Sequence, residues 1–209
     1  MDLFARYPSL LSQKEGIEKV IDEIVARYQK GGKVLVCGNG GSSADSGHIV
    51  GELMKSFILP RPISESGKRK ISEILGESET ANCLQEGIPA IDLTAQSAII
   101  SAFSNDENAT CVYAQLVYGY ATENDTVIGI STSGNSQNVV KALGVAKARG
   151  AFTVALTGEK PSKCQEIACV TIKAPESETY LIQEYHLPIY HYICAMAEQK
   201  IFGNKEGRV

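Results

Sequence analysis

The chain of 209 residues holds three histidines, and they fall in two places. His48 begins the stretch His48-Ile-Val-Gly-Glu52, and His186 and His191 lie together near the C-terminus. The four-residue spacing puts the His48 imidazole and the Glu52 carboxylate on one face of a helix. Such a pair can move protons or hold a divalent metal. With no other support it is a surface pair worth roughly a few tenths of a kcal/mol. Here Gly47 and Gly51 flank it and permit close approach by a ligand or another chain. His191, in an apolar run with Ile189, Tyr190 and Ile193, reads by itself as a core histidine.

Two loops can take an anion. Gly38-Asn-Gly-Gly-Ser-Ser43 follows the strand-like Val34-Leu-Val-Cys37 and opens the helix that bears His48. Free N–H groups at a helix start suit a phosphate. The loop lacks the third glycine and the later acidic residue of a dinucleotide fingerprint, and no Gly-Lys-Ser/Thr marks a P-loop. Ser131-Thr-Ser-Gly-Asn-Ser136 follows Val127-Ile-Gly-Ile130 and carries four hydroxyls in six residues. One Ser or Asn suffices to cap a helix, so the surplus points to phosphate held by hydroxyls and amides. The expected ligand is a small phosphorylated metabolite, with no nucleotide cofactor.

The elements that must position these residues alternate. Helices are expected over 10–28, 43–57, 96–103, 108–121, 135–149 and 179–202, with a short one between the last two strands. Strands are expected over 33–37, 89–93, 126–131, 152–157 and 169–172. Alternation at this spacing means βαβ units and a parallel sheet covered on both faces, with ligands at the carboxyl ends of strands. Residues 61–87 are polar and charged, with one short helix near 71–75, and read as an insertion in a single domain.

Composition narrows the partners. Net charge is −4 and no basic run stands free of acidic neighbours, which excludes duplex nucleic acid as the main partner. No apolar stretch reaches membrane-spanning length, and no basic n-region with an apolar core opens the chain. The six cysteines form no C-x-x-C pair and read as buried, reduced thiols of a cytoplasmic protein.

Several of these stretches together resemble the sugar isomerase (SIS) domain family, in its phosphoheptose isomerase branch. They are Cys37-Gly-Asn-Gly-Gly-Ser-Ser-Ala-Asp45, His48-x-x-x-Glu52, Gly129-Ile-Ser-Thr-Ser-Gly-Asn-Ser136-x-Asn-Val, Leu156-Thr-Gly158 and Ile182-Gln-Glu-Tyr-His186. The likeness runs from about residue 10 to about residue 203. It implies a three-layer α/β/α sandwich, flavodoxin-like, around a five-stranded parallel sheet. It implies a homotetramer with sites at subunit interfaces. It places Ser42, Ser131, Thr132, Ser133 and Ser136 around the substrate phosphate, with Asn39, Asp106 and Gln183 also toward the substrate. Glu52 and His191 match the acid/base pair, and His48, Glu52, Gln183 and His191 match the ligands of one Zn²⁺ found in some members. The implied reaction turns sedoheptulose 7-phosphate into D-glycero-D-manno-heptose 7-phosphate through an enediol, for surface polysaccharide. Alternatives are an isomerase or binder of another sugar phosphate, and a non-catalytic SIS protein that acts through a protein partner, as a replication-initiation regulator does. The presence of both Glu52 and His191 favours catalysis over the latter.

The chain departs from the family at the 61–87 insertion, at Tyr180, where some members carry Asp, and at Pro188, which is expected to interrupt the terminal helix. Spacing carries one more expectation. Gln183 and His191 stand about 12 Å apart along a straight helix. They should therefore not meet at one metal from a single copy, so His191 is expected to reach the Glu52 of another subunit, unless Pro188 kinks the helix enough to bring them together.

Overall fold

The computed structural model describes residues 2–203. Its centre is a parallel sheet of five strands: β1 Val34–Gly38, β2 Ala90–Asp92, β3 Thr126–Ile130, β4 Phe152–Thr157 and β5 Val170–Lys173, in the order β2-β1-β3-β4-β5. The strands β1, β3 and β4 are buried along their whole length, as their unbroken apolar runs require of strands covered on both faces. Alternate residues point to opposite faces and build two cores. On one face Val34, Val36, Ile128, Val154 and Leu156 pack under α2 (Lys14–Tyr28), α3 (Gly41–Met54) and the terminal helix α10 (Thr179–Phe202). On the other face Leu35, Cys37, Val127 and Ala155 pack under α7 (Val112–Tyr120), α8 (Gln137–Ala148) and α9 (Lys163–Ile167). This is the expected three-layer α/β/α sandwich. Its order reverses between β1 and β3, and that switch point is where such sheets bind ligands.

Some elements differ from the sequence expectation. A short helix α1 (Leu3–Arg6) and a 3-10 turn (Pro8–Gln13) precede α2. The insertion holds two helices, α4 (Glu65–Leu75) and α5 (Glu79–Cys83). In α4 the Ser64 hydroxyl accepts from the Gly67 N–H, and Gly76 closes the far end at φ +70°. The short helix α6 (Ser97–Phe103) runs into a π-helical turn, Ser104–Asn108, and a 3-10 turn, Ala109–Cys111, where one longer helix was expected to begin. Pro188 does not interrupt α10, which continues through it to Phe202. Of the six free cysteines, Cys37, Cys164 and Cys194 are buried and Cys111 is half-buried, whereas Cys83 and Cys169 are exposed, contrary to the reading of the cysteines as buried thiols. Among the described residues no helix is long and apolar enough to cross a membrane.

Candidate active site

The two loops expected to take an anion leave the sheet side by side. The register pairs Gly38 of β1 with Ile130 of β3, so the two loops start at one height on neighbouring strands. An amide pair ties them: Asn39 Nδ2 donates to Asn138 Oδ1, and Asn138 Nδ2 returns the bond to Asn39 Oδ1, each at 2.9 Å. The Tyr113 hydroxyl donates to the Gly38 carbonyl at 2.8 Å and fixes the root of the first loop. In the second loop Ser131 Oγ donates to Ser136 Oγ at 3.0 Å, and Ser133 Oγ accepts from the Asn135 N–H at 3.2 Å. Gly134 turns this loop at φ +64°, where a side chain would also collide with Ser162. Ser42 and Ser131 are buried, Thr132 and Ser136 half-buried and Ser133 exposed, so the hydroxyls line the loop from its floor to its lip. A cleft of about 230 Å³ opens beside Thr132, Ser133 and Asn135, with Gly158, Lys160 and Glu176 across from them.

The second group of residues gathers where α10 crosses α3. His48 Nε2 lies 3.1 Å from Glu52 Oε1 and 3.3 Å from His191 Nε2. The ligand atoms of His48, Glu52 and His191 all lie within 4.8 Å of one another. His191 therefore meets Glu52 within one chain, and the expectation of a partner subunit's histidine is corrected. The spacing argument set Gln183 apart from His191 and so sent His191 to another chain, but α10 packs on α3 of its own chain, with Pro188 inside it, and delivers His191 directly. Gln183 sits elsewhere. Its amide rests against Gly41, where an added methyl group would collide with it. Gly41 precedes His48 by seven residues, about 10 Å along α3. Within one chain Gln183 is thus placed with the first loop rather than with the three-residue cluster.

These three side chains fit a metal. Ligands about 2.0–2.1 Å from a tetrahedral centre stand roughly 3.3 Å from each other, close to the separations of His48 from its two neighbours. The Glu52 Oε2 atom is buried and accepts no hydrogen bond, while Lys55 Nζ stands 3.5 Å from it. A cluster of two imidazoles and a carboxylate suits Zn²⁺. Burial first, and then His48 beside it, hold the His191 imidazole below its ordinary pKa, against the pull of Glu52. His191 also lies against the Phe57 ring, with centroids 5.5 Å apart.

Other singled-out residues fall outside both groups. Asp106 is exposed in the π-helical turn, and its carboxylate accepts from the neighbouring Asn105. His186 is fully buried and bonds the Thr157 carbonyl at 3.3 Å. The sequence did not single out Tyr190, Asp45, Asn138 or Tyr113. Asp45 stands three residues before His48 on the same helix face, and Asn138 belongs to the Ser136-x-Asn-Val stretch, so a signal existed for those two. Nothing local marks Tyr190, whose hydroxyl lies 2.9 Å from His48 Nδ1.

Models of the SIS domain match residues 110–193 and 8–70. A phosphoheptose isomerase of Aneurinibacillus thermoaerophilus is 38% identical over 189 residues, which cover 90% of this chain and 83% of that protein. A phosphoheptose isomerase structure from Francisella tularensis aligns with a TM-score of 0.74 at 26% identity, covering 93% of this chain and 91% of that one. One from Neisseria gonorrhoeae aligns with a TM-score of 0.69 at 26% identity, covering 93% and 96%. With its five-stranded parallel sheet, paired anion loops and histidine–glutamate cluster, the chain belongs to the phosphoheptose isomerase family of SIS-domain proteins.

Proposed function

We propose that this chain is an isomerase that converts sedoheptulose 7-phosphate to D-glycero-D-manno-heptose 7-phosphate. The observation that carries the reading is the convergence of Glu52 and His191 on one helix crossing, beyond two loops suited to a phosphate. Ser42, Ser131, Thr132, Ser133 and Ser136, with the loop amides, hold the phosphate. Asn39 and Gln183 belong to the sugar-binding wall. Ketose–aldose exchange moves a hydrogen between C1 and C2 and needs a base at carbon and an acid at oxygen. Glu52 lifts the carbon proton, and His191 delivers and recovers the proton on oxygen. His48, Glu52 and His191 would also hold Zn²⁺, whose chemistry when bound is to polarise the substrate oxygens in place of the His191 proton, with Glu52 acting as base through its second oxygen.

The chain acts as a cytoplasmic homotetramer in this reading, with substrate sites near subunit interfaces and each Glu52–His191 pair supplied by one chain. Exposed apolar side chains such as Ile74, Leu75 and Ile58 support association. Light scattering on the eluted protein reports the assembly, and a monomer at working concentration rejects that part of the reading.

The test of catalysis is turnover of sedoheptulose 7-phosphate in deuterated water. The wild-type protein should place deuterium on the product carbon that was the ketone carbon. Glu52→Gln should lose about 10²-fold or more of the rate, the share that a positioned acid or base supplies. A variant as active as the wild type removes Glu52 from the mechanism.

A further inference from the structure

The Tyr190 hydroxyl lies between two groups that compete for its single hydrogen. It stands 3.2 Å from Asp45 Oδ1 and 2.9 Å from His48 Nδ1. An ionised carboxylate can only accept, so the hydroxyl donates to Asp45. The remaining contact then has one sense: His48 Nδ1–H donates to the tyrosine oxygen. We infer that Tyr190, oriented by Asp45, is a positioning residue that fixes His48 as its Nδ1–H tautomer, leaving Nε2 bare toward Glu52 and His191. This rests on the reading of His48, Glu52 and His191 as a metal cradle and says how the chain prepares it.

The alternative tautomer has its own partner. With the proton on Nε2, His48 would donate to Glu52 Oε1 at 3.1 Å, an ordinary one-turn helix pair. That hydrogen would occupy the position in which a metal must sit. Tyr190 weighs against it from the opposite edge of the ring. The phenol is placed to do so, being only 2% exposed and packed edge-on against both imidazoles, with centroids 5.4 Å from His48 and 5.1 Å from His191. Asp45 Oδ2 is buried without a hydrogen bond, so the carboxylate directs its one bond to Tyr190. Partners that hold the second nitrogen of a ligating histidine fix its tautomer and raise metal affinity.

Long-range nitrogen–proton spectra of the full-length protein, stripped of metal by chelator, read the tautomer directly. With three histidines in the chain, the His48 signals are assigned by their loss in His48→Ala. The wild-type protein should show His48 protonated at Nδ1, and Tyr190→Phe should shift the proton to Nε2. In parallel, competition with a chromogenic chelator should show Zn²⁺ bound about 10–100-fold more weakly by Tyr190→Phe than by wild type, the usual cost of losing such a partner. A wild-type His48 protonated only at Nε2, or equal zinc affinities of the two proteins, overturns the inference. A wild-type protein that binds no zinc while its His48 carries the Nδ1 proton overturns the metal reading instead and leaves the tyrosine's role standing. If Tyr190→Phe does not fold, the wild-type spectrum decides alone.

Discussion

His186 shows how differently two histidines of one helix can be used. His191 lies half-buried at the candidate site, whereas His186 is fully enclosed and its Nδ1 finds no partner. Burial lowers the His186 pKa to about 4, with the bond to the Thr157 carbonyl only partly opposing it. The unfolded chain takes up a proton near the ordinary histidine value of about 6.5. Between those two values the unfolded state binds more protons, so stability falls as pH drops from about 6.5 to about 4. The loss should approach about 3 kcal/mol at the bottom of that window. Urea unfolding at pH 7 and pH 4.5 measures it. His186→Gln should flatten the difference between the two pH values, and an unchanged slope in that variant would show that other groups cause it. At this scale the sequence exposed what is encoded locally: His48 with Glu52, and the serines of Ser131–Ser136. It hid what depends on contacts between distant segments. Tyr190 is separated from His48 by 142 residues and Asn138 from Asn39 by 99, so no short pattern could pair them.

Among elements, the junction between α3 and α10 carries most of the consequence. The first turn of α3 borders the anion loop and its end presents Glu52, while α10 lays Gln183 near the start and His191 near the end. A buried ion pair locks this junction. Arg61 Nε lies 3.0 Å from Glu198 Oε1, with both side chains almost wholly enclosed. Glu198 also accepts the N–H groups of Phe57, Ile58 and Leu59, and Arg61 donates to the carbonyls of Leu53 and Glu52. Arg61 thus supplies a donor to the Glu52 carbonyl at the end of α3 and a second one to the Leu53 carbonyl, which also accepts from the Ile88 N–H. Removing one member of a buried pair strands the other charge, so Glu198→Ala should cost about 3–5 kcal/mol. Equilibrium denaturation checks this, and a loss below about 1 kcal/mol would mean that water readily reaches Arg61. Element types were largely legible because apolar periodicity separates strand from helix. The insertion was less so. The charges of α4 mask its pattern, although the caps at Ser64 and Gly76 were present in the chain. The path of α10 through Pro188 was not legible either, because packing along its length outweighs one lost backbone bond.

For the whole molecule, the parallel five-stranded sheet followed from alternation of elements together with resemblance; its order β2-β1-β3-β4-β5 came only from the structure, and it puts the switch point between β1 and β3, where the two loops start. What alternation could not provide was the partner of His191, since helices on the same face of a sheet can meet at many crossings. One dimension of the assembled site has a further consequence. Ser42 and Glu52 stand ten residues apart on α3, about 15 Å along its axis. Under the proposed function, a rigid helix acts as a gauge between the grip on the phosphate and the group that abstracts hydrogen. A three-carbon ketose phosphate such as dihydroxyacetone phosphate, once gripped, would leave its carbonyl short of Glu52. It should occupy the loops as a competitive inhibitor without being turned over. Measurable isomerisation of that triose would mean that the gauge yields and that length is not what the enzyme selects.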